Sequence, residues 1–280
     1  MAPAMPDFLQ ALLLGVIEGI TEFLPISSTG HLLIAERWLG HRSDLFNIAI
    51  QAGAILAVVA IYRERLWQLG MSFLGRVDVD VHGQPARDYA LKLGAAFGVT
   101  AVLGVIVKKA GFELPDEVTP IAWALILGAG WMVLAEVLAA KRAAAIGERA
   151  RITWTVTLLV GVAQVVAGVF PGTSRSAATI FVALLAGTTS RAAATEFAFL
   201  VGIPTMFAAT AYELLDVARS GEAAGEDWTS LAIAFVASAL TAFAAVKWLL
   251  RYIQTHRFTA FAVYRLVLGV LLLALVPTGS

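Results

Sequence analysis

The stretch Glu18-Gly-Ile-Thr-Glu22-Phe-Leu-Pro25-Ile-Ser27-Ser28-Thr29-Gly30-His31 places two carboxylates, a run of three hydroxyls and an imidazole inside one of the most apolar parts of an apolar chain. Proline removes a backbone donor and biases its predecessor away from helix, while Gly and Ser favour turns and caps. The segment 8–39 around it is apolar enough to enter a membrane, yet it is interrupted midway by Leu24-Pro25-Ile26-Ser27-Ser28-Thr29-Gly30. A second segment, 154–187, is interrupted in the same way by Phe170-Pro171-Gly172-Thr173-Ser174-Arg175-Ser176. Non-helical backbone at membrane depth is tolerated only where protein or a water-filled cavity surrounds it, so both segments are expected to form re-entrant helix–turn–helix hairpins.

The rest of the chain sets this expectation in a bilayer. Of 280 residues 59% are hydrophobic and 14% charged, with a mean hydropathy of +0.82, whereas a soluble domain carries about a quarter charged residues. Apolar runs at 45–62, 89–107, 119–139, 194–215, 229–250 and 259–277 are each long enough to cross the hydrocarbon core as a helix. A signal peptide or a lone surface helix would supply a single run. The fold class expected is therefore an all-α polytopic membrane protein with six transmembrane helices and two re-entrant hairpins. The absence of cysteine excludes disulfides and thiolate sites.

Formal net charge is zero, but its distribution is informative. Arg63, Arg65, Arg76, Arg87 and Lys92 follow the first span, Lys141, Arg142, Arg149 and Arg151 the third, and Lys247, Arg251 and Arg257 the fifth. The positive-inside rule makes these loops cytoplasmic. Loops that carry Glu113, Asp116 and Glu117, and again Asp216, Glu222, Glu226 and Asp227, are then external, and the spans alternate consistently. Gly15-Val16-Ile17-Glu18 with Phe23-Leu24-Pro25-Ile26-Ser27-Ser28 aligns without gaps on Gly161-Val162-Ala163-Gln164 with Val169-Phe170-Pro171-Gly172-Thr173-Ser174. Each copy precedes three spans. Residues 1–140 and 141–280 read as inverted repeats of one membrane domain, their polar turns meeting near the midplane.

Glu18 and Glu22, four apart, share one helical face. Two adjacent carboxylates repel unless a proton or cation lies between them, and Mg²⁺ or Ca²⁺ prefers such oxygen ligands. Structural burial is the competing reading, but intramembrane ionisable groups mark functional sites by default. Arg175, between Ser174 and Ser176, stands at the expected start of a helix running through Thr179, where free N–H groups and a guanidinium fork favour an anion. Its alternative is an ion pair with Glu18 or Glu22. Ser27, Ser28 and Thr29 can cap the next helix, and His31 lies within reach of a hydroxyl or a bound water. Taken together these groups suit phosphoryl transfer.

EGITEFLPISSTGHL and PGTSRSAAT resemble the two signature regions of the bacterial undecaprenyl-diphosphate phosphatase family of the BacA type, and Glu196-Phe-Ala-Phe-Leu and Tyr264-Arg265 are similar as well. The resemblance spans essentially the whole chain. It implies an inner-membrane hydrolase that converts undecaprenyl diphosphate to the monophosphate and phosphate, recycles the lipid carrier of cell-wall synthesis and confers bacitracin resistance when abundant. It also implies a metal-dependent site facing the periplasm. The acidic motif falls on Glu18 and Glu22, the serine motif on Ser27, Ser28 and His31, and the arginine motif on Ser174, Arg175 and Thr179, with Gln164 as the polar counterpart in the second repeat. One departure is Ala177, where relatives commonly have Gly.

On this reading Ser28 is the nucleophile and His31 its proton acceptor, a metal-activated water being the alternative attacking group. Ser27, Thr29, Gln164, Ser174, Ser176 and Thr179 contact substrate. The partners expected are a polyprenyl diphosphate and the bilayer, with no nucleic acid and with room for a homodimer. A lipid-phosphate transporter or flippase suits the same repeat architecture and is the rival function.

Overall fold

The computed structural model describes residues 5–76, 78–111, 117–220 and 225–275. Ten helices run through these residues: α1 (Asp7–Thr21), α2 (Ser28–Leu39), α3 (Asp44–Ser72), α4 (Ala86–Lys109), α5 (Val118–Ile146), α6 (Trp154–Val169), α7 (Arg175–Ala186), α8 (Arg191–Ser220), α9 (Trp228–Thr255) and α10 (Thr259–Leu275). The helix starts follow local chemistry. Ser43 accepts the Phe46 N–H at 3.1 Å ahead of α3, Thr153 the Val156 N–H at 3.3 Å ahead of α6, and Asp227 the Thr229 and Ser230 N–H groups at 3.0 and 3.3 Å ahead of α9.

Five helices, α3, α4, α5, α8 and α9, are long and apolar enough to cross a membrane. Large apolar side chains stand exposed on their outer faces, Leu127 at 68% and Leu240 at 67%, as expected where the surrounding solvent is hydrocarbon. The chain is a multi-pass membrane protein. Several helices outrun the apolar runs that announce them. Helix α3 continues past residue 62 to Ser72 because Leu69 still packs on the core face, Arg65 pairs with Glu196 of α8 at 3.1 Å, and Arg63 and Glu64 point outward. Helix α5 continues past 139 on Ala140, Ala143, Ala144 and Ala145, strong helix formers that need no packing. The sixth run, 259–277, corresponds to the 17-residue α10, and its last two residues lie outside the described ones.

Both interrupted segments are helix–turn–helix units, α1–α2 with a turn at 22–27 and α6–α7 with a turn at 170–174. Helix α1 packs chiefly on α9, and α6 packs on both α7 and α4. Each crossing is close at its first glycine. A Cβ on Gly15 would run into the backbone of Ala234, and one on Gly161 would lie 2.8 Å from the Ala96 carbonyl oxygen. Helices α3 and α8 pack on each other, as do α5 and α10, so the two turns are brought to the middle of the bundle. Around them lies the main core, in which Phe23 meets Phe199 edge-on at 5.3 Å.

Candidate active site

Helix α1 delivers the acidic pair. Glu22 caps its last turn, its N–H bonded to the Glu18 carbonyl at 2.9 Å, so both side chains emerge from the same end of the helix. They are 2% and 8% exposed. One oxygen of Glu18, Oε2, is buried without a partner, whereas both oxygens of Glu22 are engaged. Glu22 Oε1 accepts Arg175 Nη2 at 2.5 Å, and Oε2 accepts the Ser28 hydroxyl.

The two donors to Glu22 occupy the same position in their helices. Ser28 is the first residue of α2 and Arg175 the first of α7. Each follows a serine N-cap with a left-handed backbone, Ser27 at φ 73° and Ser174 at φ 70°. Among the described residues only His82 otherwise shows a positive φ without being glycine. That conformation costs about 1–2 kcal/mol, and such strain gathers at functional sites. The cap hydroxyls accept the Gly30 and Ala177 N–H groups at 3.4 and 3.3 Å. Ala177 takes its place there, buried, with no loss of the cap. The structural counterpart of Ser174 is thus Ser27, one residue from the Ser28 that an ungapped alignment selects, because the stretch from Pro25 to its cap is one residue shorter than that from Pro171 to Ser174.

The turns also touch directly. Ser176 Oγ donates to the Leu24 carbonyl at 3.1 Å and lies 3.1 Å from Ser174 Oγ. Arg265 of α10 donates from below to Pro25 in the first turn and to Gly172 and Thr173 in the second. Beside Glu22 opens a cavity of about 760 Å³ lined by Glu18, Ser28, Thr29, Leu32, Leu33 and Glu36, among others. It combines the Ser28 and Thr29 hydroxyls, carboxylates and apolar side chains.

Three expected site residues stand elsewhere or do otherwise. Gln164 points into the α6–α4 crossing, where its amide donates to Thr100 Oγ1 at 2.9 Å. Thr179 is 1% exposed and bonds back to the Arg175 carbonyl at 2.8 Å, which shapes α7 but leaves no hydroxyl for a ligand. His31 lies 2.6 Å from the Ser27 carbonyl through Nδ1 and 2.6 Å from the Tyr264 hydroxyl through Nε2. The carbonyl can only accept, so Nδ1 carries the proton and Nε2 receives the tyrosine hydroxyl. The geometry therefore turns His31 away from Ser28, whose own proton is directed to Glu22.

The family model described as bacitracin resistance protein BacA matches residues 11–271. The chain belongs to the BacA family. Its relatives include proteins named undecaprenyl-diphosphatase from Rhizobium johnstonii, 65% identical over 273 residues that cover 98% of each chain, and from Stenotrophomonas maltophilia, 59% identical over 276 residues that cover 99% of this chain and all of the relative. One from Xanthomonas euvesicatoria is 57% identical over the same coverage. The BacA match takes in both turns, the acidic pair, Arg175 and Arg265.

Proposed function

We infer that this chain is an undecaprenyl-diphosphate phosphatase that hydrolyses the lipid diphosphate to undecaprenyl phosphate and inorganic phosphate, recycles the carrier for peptidoglycan synthesis and confers bacitracin resistance when abundant. The observation that carries the reading is the convergence of Ser28 and Arg175, from separate turns, on the carboxylate of Glu22. A transporter needs anion contacts but no hydroxyl aligned on a buried acceptor. The test is phosphate release from farnesyl diphosphate by the purified protein in detergent, where no transport can occur.

In the proposed reaction Ser28 Oγ attacks the terminal phosphorus as its proton passes to Glu22, to which it already donates. The bond from that phosphorus to the bridging oxygen breaks, and the lipid monophosphate leaves with the bond's electrons. Water then attacks the phosphoserine, the bond from phosphorus to Ser28 Oγ breaks as Glu22 returns its proton to that oxygen, and inorganic phosphate leaves with the water's oxygen and protons, restoring Ser28 and the Glu22 carboxylate. Arg175, 26% exposed at its side chain, can exchange part of its pairing with Glu22 for the phosphoryl oxygens and stabilise their charge. His31 positions the first turn of α2 through Ser27. The unpartnered Oε2 of Glu18 fits a cation, and Glu18 with Glu22 would hold Mg²⁺ or Ca²⁺, which when bound supplies Lewis-acid neutralisation of phosphate charge.

We further propose that α10 is a sixth span and that α1–α2 and α6–α7 are re-entrant hairpins of an inverted repeat covering 1–140 and 141–280. The matching crossings of α1 on α9 and α6 on α4, the paired glycines and the paired strained caps support this. The placement in the bacterial inner membrane rests on the lipid substrate. With the basic loops cytoplasmic, the cavity beside α2 and the outer end of α8 opens to the periplasm.

A further inference from the structure

Arg265 is a charged residue in the middle of the apolar α10, and it is 0% exposed. An arginine normally enters a membrane core only to meet a carboxylate or line a water path. Among the described residues Arg265 pairs with no carboxylate, and every one of its hydrogen bonds goes to a backbone carbonyl. Nη1 donates to Thr173 at 2.9 Å and Pro25 at 3.4 Å, Nη2 to Gly172 and Ala124 at 3.0 Å each, and Nε to Leu125 at 3.4 Å.

A guanidinium offers five N–H donors in a rigid fork, and five carbonyls receive them here. Three of these carbonyls belong to the broken-helix turns, where no helical N–H is available and an unmet acceptor at membrane depth is costly. A single nitrogen spans both turns, since Pro25 of the first and Thr173 of the second share Nη1. The facing helix makes room: a Cβ on Gly128 of α5 would overlap Nη2 and come within 2.9 Å of Cζ.

We propose that Arg265 is a positioning residue for the phosphoryl-transfer site. It fixes the separation of the two turns and thereby sets Ser28 and Arg175 against Glu22. Ser28 and Arg175 start their helices within three residues of the clamped carbonyls, so an error in turn spacing passes directly to the reacting groups. Misplacement by about 1 Å at a reacting centre costs on the order of a hundredfold in rate. Lysine keeps the charge but has three donors on one atom and cannot meet the five carbonyls that receive the guanidinium.

The proposal rests on the phosphatase reading and is tested on the full chain in detergent with farnesyl diphosphate. Arg265→Lys should lower kcat by about thirtyfold while KM changes by less than about threefold, as expected when transition-state alignment and not ground-state binding is lost. Gly128→Ala, which leaves every donor in place and displaces only the guanidinium, should lower kcat by about tenfold on the same grounds; it carries the comparison if Arg265→Lys does not fold.

Because Arg265 acts in part through Arg175, adding Arg265→Lys to Arg175→Lys should cost clearly less than the roughly thirtyfold that Arg265→Lys costs alone. Leu272→Ala, a buried change on the same helix away from the turns, should keep kcat even where it lowers the melting temperature. Amide exchange in residues 23–30 and 171–178 should quicken in Arg265→Lys and not in Leu272→Ala. Multiplicative losses in the double variant, equal kcat losses in Leu272→Ala, or unchanged turn exchange in Arg265→Lys would each overturn the proposal. A folded wild-type protein with no turnover would count against the phosphatase reading alone, and turn exchange would still decide the clamp.

Discussion

Replacing Glu22 by glutamine removes one charge without changing the shape of the side chain. In the native site its two oxygens accept Arg175 and Ser28. A glutamine has one acceptor oxygen, which Arg175 requires because a guanidinium can only donate, so the amide nitrogen faces Ser28 and donates to its hydroxyl where the carboxylate accepted from it. Breaking a fully buried ion pair from one side costs about 3–5 kcal/mol. The side chain of Arg175 is 26% exposed and recovers part of that from water, which brings the expected loss of stability to about 2 kcal/mol. The catalytic loss is larger. Ser28 loses its proton acceptor and Arg175 its anchor, so kcat should fall by at least about a hundredfold, or about 2.7 kcal/mol of activation free energy. Thermal melting and phosphate release measured on the same detergent preparation separate the two effects. A Glu22→Gln protein that is folded and turns over farnesyl diphosphate at nearly the wild-type kcat would refute the assignment of Glu22 as the residue joining both turns.

Arg175→Lys retains charge but not the planar fork, and kcat should fall by about a hundredfold with folding intact; near-complete activity would leave Arg175 only its pairing with Glu22. Ser28→Ala should abolish turnover, whereas Ser27→Gly, which relieves a left-handed backbone and loses a cap contact, should keep most of it, and the reverse order would exchange their roles. Asp227 caps α9 outside the bilayer, and its carboxyl is held below its usual value by the Ser230 hydroxyl, then by the Ser230 and Thr229 N–H groups. This contribution is present above the unfolded pKa and lost as pH falls through the lower folded one. The melting difference between wild type and Asp227→Ala should therefore close as the solution is acidified and persist at neutral pH. Single cysteines at Asp78 and Ala144, in a chain with none of its own, should label from the cytoplasm and one at Gly225 from outside. Finding the first two on opposite faces would overturn the inverted topology.

The broken helices could be read from the sequence because Pro, Gly and Ser stop an apolar helix wherever it lies, and the breaks fall at 22–27 and 170–174 within the expected segments. The meeting of Glu22, Ser28 and Arg175 was partly legible, since charges at membrane depth must find partners. Other features depend on contacts that a single sequence does not carry. The partner of His31 is Tyr264, 233 residues away, so proximity in sequence pointed instead to Ser28. An ungapped match between the repeats paired Ser28 with Ser174, and only the backbone conformation of the two caps shows that Ser27 holds the equivalent place. Arg265 stood in the last apolar run, and an intramembrane arginine is itself a signal; its five carbonyl partners come from three separate segments and were not foreseeable. Helices α3 and α5 run past their apolar stretches because polar residues on an outward face do not end a helix.

The central claim is that the two turns build one phosphatase site around Glu22. Its most direct test is release of inorganic phosphate from undecaprenyl diphosphate by the purified protein in detergent, with and without a chelator, for the wild type and for Glu18→Gln and Glu22→Gln. Turnover by the wild type that falls to background on chelation and in both variants is the expected result. Wild-type rates in a folded Glu22→Gln variant, or a folded wild-type protein that binds the lipid diphosphate and releases no phosphate with divalent cation present, would contradict it.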